Sequence, residues 1–305
     1  MAAMKPAAAP AASSEVPPLP VLSARWPDYA LLDTGHRRKL ERFGAHVIIR
    51  SEPKAWWEPA LDQAAWAQAA AVHEDEGPWR LTRGTPREWT MRWRELTLQA
   101  RLTDGSKHLG LFPEQAPHWE FIHTHACAAG ATPLRMLNLF GYTGAASLVA
   151  AAAGCAVTHV DASKPAVSWA RHNQTLSGLE RAPVRWILDD AVKFLRREIR
   201  REVRYDAISL DPPSFGRGPA GEVWKVEAML PELLSLCRQA LSKNPRFILL
   251  TMYNLEASAL MLGNLLEEMM RGQGGRVTRG ELALTAEASS RPLPLSLWAR
   301  WESGV

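Results

Sequence analysis

From about residue 131 onward, short apolar runs alternate with helix-compatible stretches, and this alternation constrains the fold most strongly. The apolar runs are LRMLNLF (134–140), AVTHVDA (156–162), VRWILDD (184–190), YDAISLD (205–211) and RFILLTMY (246–253). Successive parallel strands need a crossover connection, which is usually a helix. Strands that are apolar along most of their length fit a sheet covered on both faces. The pattern therefore predicts an α/β fold with a parallel sheet and helices on both sides.

The sequence ahead of this pattern has a different texture. Residues 1–20 are rich in Ala, Pro and Ser and predict a disordered tail, and their prolines interrupt any signal-peptide apolar core. Residues 21–119 contain short runs broken by Gly, Pro and Asp, with a strand expected at 46–50 and a strand pair or bulged strand at 90–102. We therefore expect a small, β-rich, tryptophan-rich domain over 21–119, followed by the α/β domain over 120–305.

Composition excludes several classes of protein. The chain of 305 residues carries a net charge of +4, which permits a polyanionic partner without requiring one. Its 3 cysteines form no CxxC pair, so neither a disulfide framework nor a zinc site is expected. No apolar stretch reaches the roughly 20 residues of a membrane span. We expect a cytoplasmic protein that binds no metal and no membrane.

Polar and glycine residues follow each apolar run, where an open parallel sheet binds its ligands. The glycine turn after the first run lets the backbone approach a ligand, and the next helix offers its free N–H groups. A carboxylate at the end of the second run can accept hydrogen bonds from ribose hydroxyls, and one after the third can accept from an adenine amino group. The residues in question are Phe140-Gly141-Tyr142-Thr143-Gly144, Asp161, Asp189-Asp190-Ala191 and Asp211-Pro212-Pro213-Ser214-Phe215. The glycines and the acids after the second and third runs could also be structural, as a turn or helix caps, whereas two prolines after an Asp are rarely needed for folding alone; the order of all four along successive strand ends favours a site.

These motifs resemble those of a known family. The series LNLFGYTGAAS, HVDAS, DDAVKFL and SLDPPSFGRG is similar to the motif set of class I S-adenosylmethionine methyltransferases. It is more narrowly similar to the branch that contains large-subunit (23S) rRNA methyltransferases, which share YTG and DPPxF motifs. The segment 105–122 (GSKHLGLFPEQAPHWEFI) also resembles the part that precedes the catalytic domain there. The resemblance spans about 105–300 and implies a Rossmann-like seven-stranded methyltransferase sheet whose closing antiparallel edge is 289–301.

The resemblance also implies roles for individual residues. The glycine turn would pack on the methionine part of S-adenosylmethionine, Asp161 would hold the ribose, and Asp190 with Ala191 would border the adenine. The implied cofactor-binding residues are Gln115, Asn138, Phe140, Gly141, Tyr142, Thr143, Gly144, Asp161, Ala162, Ser163, Asp190, Ala191 and Asp211. The implied catalytic residues, facing the methyl acceptor, are Asp211, Pro212, Pro213 and Phe215, the last able to stack on a base.

One departure from the family bears on the acceptor atom. Family members that methylate cytosine C5 use a cysteine just after the fifth strand, where this chain has Thr251-Met252-Tyr253-Asn254. Its cysteines, Cys127, Cys155 and Cys237, fall elsewhere, so covalent activation of a base is not expected. A nitrogen acceptor, whose lone pair attacks the methyl group directly, fits the sequence better.

An RNA substrate, and rRNA in particular, is expected mainly from the resemblance. Three features permit it: an Arg-rich stretch at 196–201, Arg92 and Arg94 alternating with Trp89 and Trp93, and the cationic segment 33–44, interpreted as a loop. The first feature fits a solvated helix face better, and the second more often indicates a strand with one buried and one solvated face.

Other functions stay open from the sequence. A nicotinamide-dependent oxidoreductase would need a GxGxxG turn, which GYTGA lacks. A protein or small-molecule methyltransferase and a non-catalytic cofactor- or RNA-binding scaffold remain alternatives, and the oligomeric state is undetermined.

Overall fold

The computed structural model describes residues 19–23, 26–74, 77–128, 130, 132–218, 221–253 and 256–304. The predicted tail lies outside the described residues except for 19 and 20, and the carbonyl of Pro20 accepts a hydrogen bond from the N–H of Glu281 (3.0 Å). Within these ranges, no helix is long and apolar enough to cross a membrane.

The N-terminal region forms a small sheet and a separate hairpin. A two-residue strand, β1 (Val21–Leu22), precedes the five-stranded sheet, which has the order β2-β3-β4-β5-β6. Its elements are β2 (Tyr29–Gly35), β3 (Arg38–Phe43), β4 (His46–Ser51), the short helix α1 (Gln63–Trp66), β5 (Ala71–His73) and β6 (Arg80–Leu81). The hairpin consists of β7 (Glu88–Trp93) and β8 (Leu96–Arg101). The strand predicted at 46–50 and the strand pair predicted at 90–102 are both confirmed.

The cationic segment 33–44 is not a loop, and that interpretation was wrong. It spans most of the β2–β3 hairpin. The buried Asp33 carboxylate accepts hydrogen bonds from the Ala60 and Leu61 N–H groups (3.1 and 2.8 Å) and from Trp66 Nε1 (3.1 Å). Buried charge that is paired or hydrogen-bonded can belong to a sheet, so a high density of charged residues did not identify a loop here.

The remainder of the chain alternates strands and helices as predicted. The strands are β9 (Arg135–Leu139), β10 (Ala156–Asp161), β11 (Val184–Leu188), β12 (Ala207–Leu210), β13 (Phe215–Arg217), β14 (Val223–Lys225), β15 (Phe247–Met252), β16 (Arg276–Thr285) and β17 (Pro292–Glu302). The helices are α2 (Ala116–Cys127), α3 (Ala145–Ala152), α4 (Lys164–Leu176), α5 (Ala191–Arg200), α6 (Val226–Ala240) and α7 (Ala259–Met269). β13 and β14 form a separate antiparallel hairpin.

The main sheet has eight strands in the order β1-β16-β17-β15-β12-β9-β10-β11. β9 to β11 progress in one direction and β12 returns to the other side of β9, so the order reverses between β9 and β12, where ligands of such sheets bind. The α/β class and the seven strands expected from the family are present. Two details differ: β1 adds an eighth strand, and the antiparallel strand predicted as the edge lies between β15 and β16.

A continuous core joins the N-terminal region to the large sheet. The ring of Trp119 on α2 makes edge contacts with Trp26 and Trp93 at centroid distances of 5.6 and 5.8 Å. The predicted boundary between residues 119 and 120 falls inside α2, because Trp119 belongs to the helix and to the core it shares with the N-terminal strands. We propose that any division of the chain lies before residue 113, ahead of the 3₁₀ turn that leads into α2.

Candidate cofactor and acceptor site

A cavity of about 390 Å³ opens at the carboxyl ends of β9, β10, β11 and β12. Its volume is within the roughly 300–1,000 Å³ of small-molecule sites. Nine predicted site residues line it: Phe140, Tyr142, Asp161, Ala162, Ser163, Asp190, Ala191, Asp211 and Pro213. Beneath it, a cavity of about 70 Å³ is lined by the predicted residues Gln115, Asn138, Phe140, Gly141, Tyr142, Thr143 and Asp211. Three predicted residues line neither cavity: Gly144, Pro212 and Phe215.

The turn after β9 is held in an unusual backbone conformation. Phe140 and Tyr142 have φ angles of 56° and 52°, in the left-handed region that side chains rarely adopt. Gly141 packs so closely on β10 that a Cβ atom there would lie 2.4 Å from Cε1 of the His159 ring. Such conformations persist where the surroundings over-determine them, as at ligand-binding turns. Gly144, with a φ of 85°, is the N-cap residue of α3 and serves the fold.

Asp161, at the end of β10, holds this turn against the cavity. Its Oδ2 accepts a hydrogen bond from the Tyr142 N–H and its Oδ1 accepts one from the Ser163 N–H, both at 2.8 Å. Burial raises the pKa of this carboxyl group, while the two N–H donors oppose that shift. Each carboxylate oxygen has a second lone pair, so Asp161 can still accept from hydroxyl groups of a ligand.

The acids after β11 serve the fold as well as the cavity. Asp190 is the N-cap residue of α5, where its Oδ1 accepts from the Lys193 N–H (2.9 Å), and it also lines the cavity. Asp189 pairs with Arg197. One carboxylate oxygen of Asp190 caps the helix, which leaves the other able to accept from a ligand, so the structural role of Asp190 is compatible with the predicted cofactor role.

Asp211 lines the large cavity, the small cavity beneath it and a third cavity described below, and among the described residues it shares this position with Phe112 only. Its Oδ2 accepts a hydrogen bond from Gln115 Nε2 (3.3 Å), whereas its buried Oδ1 has no partner among the described residues. Burial, reinforced by the nearby Glu114 carboxylate, raises the pKa of Asp211 to about 7. An unpartnered buried acceptor is costly and indicates a ligand donor that the protein itself does not supply.

The third cavity, of about 150 Å³, lies between the large sheet and the N-terminal sheet. Its lining includes the cationic side chains Lys39, Arg50, Lys54 and Lys107 together with Glu52 and Glu114. Arg50 donates to both oxygens of the buried Glu41, each at 2.6 Å, and Lys54 Nζ donates to the Leu295 carbonyl (2.8 Å). These interactions hold Arg50 and Lys54 in place along one cavity whose lining also includes Asp211.

Four residues that the motifs did not single out line the large cavity, and three of them also line the third, cationic cavity. His108, Phe112 and Tyr253 line both, and Trp224 lines the large one. Burial and the neighbouring cations lower the pKa of His108 to about 3, which keeps its imidazole neutral. Tyr253 occupies the position after β15 where the family's cysteine was sought, and its place at a strand end was a signal that could have identified it. Asn254, the next residue, is outside the described residues.

The other cationic features of the sequence do not line the cavities of this site, although Arg197 of the Arg-rich stretch pairs with the cavity residue Asp189. In the Arg-rich stretch, Arg196 pairs with Glu232, and Arg201 lies 3.9 Å from Glu198, as on a solvated helix face. On the β7–β8 hairpin, Trp93 is buried in the core, and Arg94 pairs with Glu120 outside it (2.6 Å). The half-buried-strand interpretation therefore describes this hairpin.

The fold and the strand-end cavity together define the class of S-adenosylmethionine-dependent methyltransferases. A family model described by that name matches residues 83–259, and the chain belongs to this family. The SAM-dependent methyltransferase from Agrobacterium tumefaciens is 43% identical, with a TM-score of 0.90 over 95% of this chain and 94% of that one. SMU.776, a methyltransferase solved in complex with SAH, shares the fold at 19% identity, with a TM-score of 0.68 over 90% of this chain and 75% of that one.

Curated relatives align over shorter segments. Ribosomal RNA large subunit methyltransferase I of Klebsiella pneumoniae is 40% identical over 82 residues, which are 27% of this chain and 20% of that protein. Ribosomal RNA large subunit methyltransferase K/L of Hahella chejuensis is 41% identical over 107 residues, 35% of this chain and 14% of that protein. The matched segments thus span a fifth or less of these two relatives. Membership of the methyltransferase family removes the oxidoreductase alternative, and S-adenosylmethionine is the cofactor.

Proposed function

We propose that this enzyme transfers the methyl group of S-adenosylmethionine to a nitrogen atom of an RNA nucleotide, in rRNA. The observation that carries the proposal is the position of Asp211, whose buried, unpartnered oxygen lies where the large cavity meets the cationic one. The rRNA methyltransferases among the curated relatives support RNA as the substrate class.

The large cavity fits the cofactor by its donors and acceptors. Asp161 offers carboxylate lone pairs for the ribose hydroxyls, and Asp190 and Ala191 border the position proposed for the adenine. The strained turn at Phe140 and Tyr142 would pack on the methionine part, with Gln115, Asn138, Gly141 and Thr143 beneath it. When bound, the cofactor supplies a methyl group on a positively charged sulfur.

The cationic cavity would receive the acceptor nucleotide. Its lysine and arginine side chains come from the N-terminal sheet and the loop before α2, and they can neutralise a phosphate group. Pro213 lines the large cavity together with Asp211, and its carbonyl accepts a hydrogen bond from Trp224 Nε1 (2.6 Å). The N-terminal region thus acts in substrate docking.

Asp211 is proposed to bind the acceptor amino group and to stabilise the positive charge that forms on its nitrogen. Its free oxygen accepts an N–H of an amino group, which directs the nitrogen lone pair away from the carboxylate and toward the methyl group. The carboxylate also stabilises the positive charge that develops on nitrogen, and Asp211 accepts the proton that this nitrogen then releases. No cysteine is among the described residues that line the two larger cavities, so attack on cytosine C6 has no nucleophile there.

The test uses cofactor with a deuterated methyl group and lysate from a strain lacking this gene, divided into RNA, protein and small-molecule fractions. We expect label in large-subunit rRNA and, after digestion to nucleosides, in an N-methylated nucleoside. Label in 5-methylcytidine would refute the nitrogen acceptor, and label in protein or small molecules would refute the RNA substrate. Cofactor binding without any label would favour the non-catalytic scaffold.

A further inference from the structure

The β13–β14 hairpin directly follows the Asp211-Pro212-Pro213 turn and has two unlike faces. Because side chains alternate along a strand, the central pair Gly216 and Trp224 faces inward, and both line the large cavity. Trp224 is 4% exposed, and its ring lies 5.2 Å from that of Phe140. The inner face therefore anchors the hairpin to the site.

The outer face carries the flanking pairs of the same ladder. Phe215 pairs with Lys225, and Arg217 pairs with Val223, so these four residues share one face of the hairpin; Arg217 also lines the large cavity. All of them are exposed, and Phe215 and Val223 are 55% and 48% accessible. The outer face thus combines one aromatic ring, one aliphatic side chain and two cations.

The two cations of this face form no ion pair with a described residue. Within the described parts of the chain, neither Arg217 nor Lys225 lies within salt-bridge distance of a carboxylate. The acid of the hairpin, Glu222, is paired with Lys193 of α5. The exposed face therefore presents positive charge beside an unoccupied ring surface.

We propose that this outer face docks the single-stranded RNA next to the acceptor nucleotide, a proposal that rests on the function proposed above. Phe215 offers a surface on which a base stacks, and Arg217 and Lys225 contact the adjoining phosphates. Single strands expose base faces that a duplex conceals, and aromatic side chains with flanking cations are the usual means of binding them. The inner face lines the large cavity, which shares Asp211 with the cationic cavity proposed for the acceptor, so an RNA strand leaving the acceptor site can continue onto the outer face.

The experiment measures binding of a fluorescein-labelled single-stranded RNA of about 12 nucleotides to the full chain at several salt concentrations. Arg217→Gln/Lys225→Gln is compared with Lys243→Gln/Arg276→Gln, which removes two exposed cations at the opposite, amino-terminal edge of the large sheet. We expect the first variant to lower the slope of log Kd against log salt by about 1.4, because each phosphate contact on a single strand contributes about 0.7. The second variant should leave the slope close to that of the wild type.

Stacking is tested separately. Phe215→Ala should raise the RNA Kd at least fivefold, since a stacked base contributes about 1–3 kcal/mol, and Phe215→Trp should restore it. Phe215 and Lys225 do not line the large cavity, so cofactor Kd should be unchanged in Phe215→Ala and Lys225→Gln. Unchanged cofactor binding also shows that the variants are folded.

The outcomes separate the two proposals. If the wild type binds and methylates RNA and the hairpin variants behave like the wild type, the docking face alone is overturned. If polyglutamate displaced the labelled RNA as well as unlabelled RNA does, the docking face would also be overturned, because binding would then reflect only attraction between opposite charges. A wild-type protein that binds no RNA would overturn both the docking face and the RNA substrate.

Discussion

Asp211→Asn should stabilise the cofactor-free enzyme at neutral and alkaline pH. The substitution keeps the shape of the side chain and removes its charge. In the folded chain the pKa of Asp211 is raised to about 7 by burial and by Glu114, against an unfolded value of about 3.9. Below pH 4 the group is protonated in both states and adds no destabilisation. As pH rises, the unfolded chain ionises first, so the wild type loses stability until the folded carboxyl group also ionises near pH 7.

The size of this effect follows from the pKa shift. About three pH units at 1.36 kcal/mol each give an upper limit of about 4 kcal/mol, of which about 2–3 kcal/mol falls between pH 5 and pH 8. Part of the Asp211 residue is accessible from the cavity, which places the expected value at the lower end of that range.

The assay is urea denaturation of both proteins from pH 5 to pH 8 without cofactor. The stability difference between Asp211→Asn and the wild type should grow with pH. Asp206→Asn, at the amino end of the same strand, where Oδ2 accepts from the Arg135 N–H (3.0 Å), controls for removing a carboxylate and should not reproduce that growth. If the difference in unfolding free energy between Asp211→Asn and the wild type stayed constant from pH 5 to pH 8, a raised pKa at Asp211 would be refuted.

Three further predictions test neighbouring parts of the account. S-adenosylmethionine carries a sulfonium charge that attracts ionised Asp211, whereas S-adenosylhomocysteine carries none. The ratio of the S-adenosylhomocysteine Kd to the S-adenosylmethionine Kd, measured by calorimetry, should therefore rise several-fold from pH 6 to pH 8. A constant ratio would show that the sulfur does not lie near Asp211. Gly141→Ala should lower stability in urea by about 1–3 kcal/mol and weaken cofactor binding, since its Cβ would meet the His159 ring at 2.4 Å; wild-type values would show that the turn can relax. Glu41→Ala, which leaves the buried Arg50 unpaired, should cost about 3–5 kcal/mol, and Glu41→Ala/Arg50→Met should recover part of it; additive losses would contradict the pairing.

The sequence contained enough information to predict the α/β sheet and the edge at which its candidate site lies. Parallel strands end at the same edge, so residues after consecutive apolar runs must lie near one another. This is why Asp161, Asp190 and Asp211 border one cavity although 50 positions separate the first from the last.

The cationic cavity could not be found in the same way. Lys39 and Arg50 come from a different sheet and Lys54 from the turn that follows it, and their distance from Asp211 depends on tertiary packing rather than on a local period. The segment containing Lys39 was misinterpreted as a loop, because its charged side chains are paired inside the fold rather than exposed to water.

Very short elements were also beyond sequence analysis. β13 and β14 have three residues each and β1 has two, too few for alternation to be recognised. The outer face of the β13–β14 hairpin and the eighth strand of the main sheet were therefore visible only in the structure.

The most direct test of the central claim separates cofactor binding from methyl transfer in two variants. S-adenosylhomocysteine Kd and single-turnover transfer to rRNA lacking the modification would be measured for Asp161→Ala and Asp211→Asn. We expect Asp161→Ala to weaken cofactor binding by about 1–3 kcal/mol through lost ribose hydrogen bonds. Asp211→Asn should leave that Kd nearly unchanged and slow transfer at least a hundredfold, an effect of about 3 kcal/mol on the barrier. Equal loss of binding and transfer in Asp211→Asn would contradict the account, because Asp211 would then belong to the cofactor pocket and not to the acceptor site.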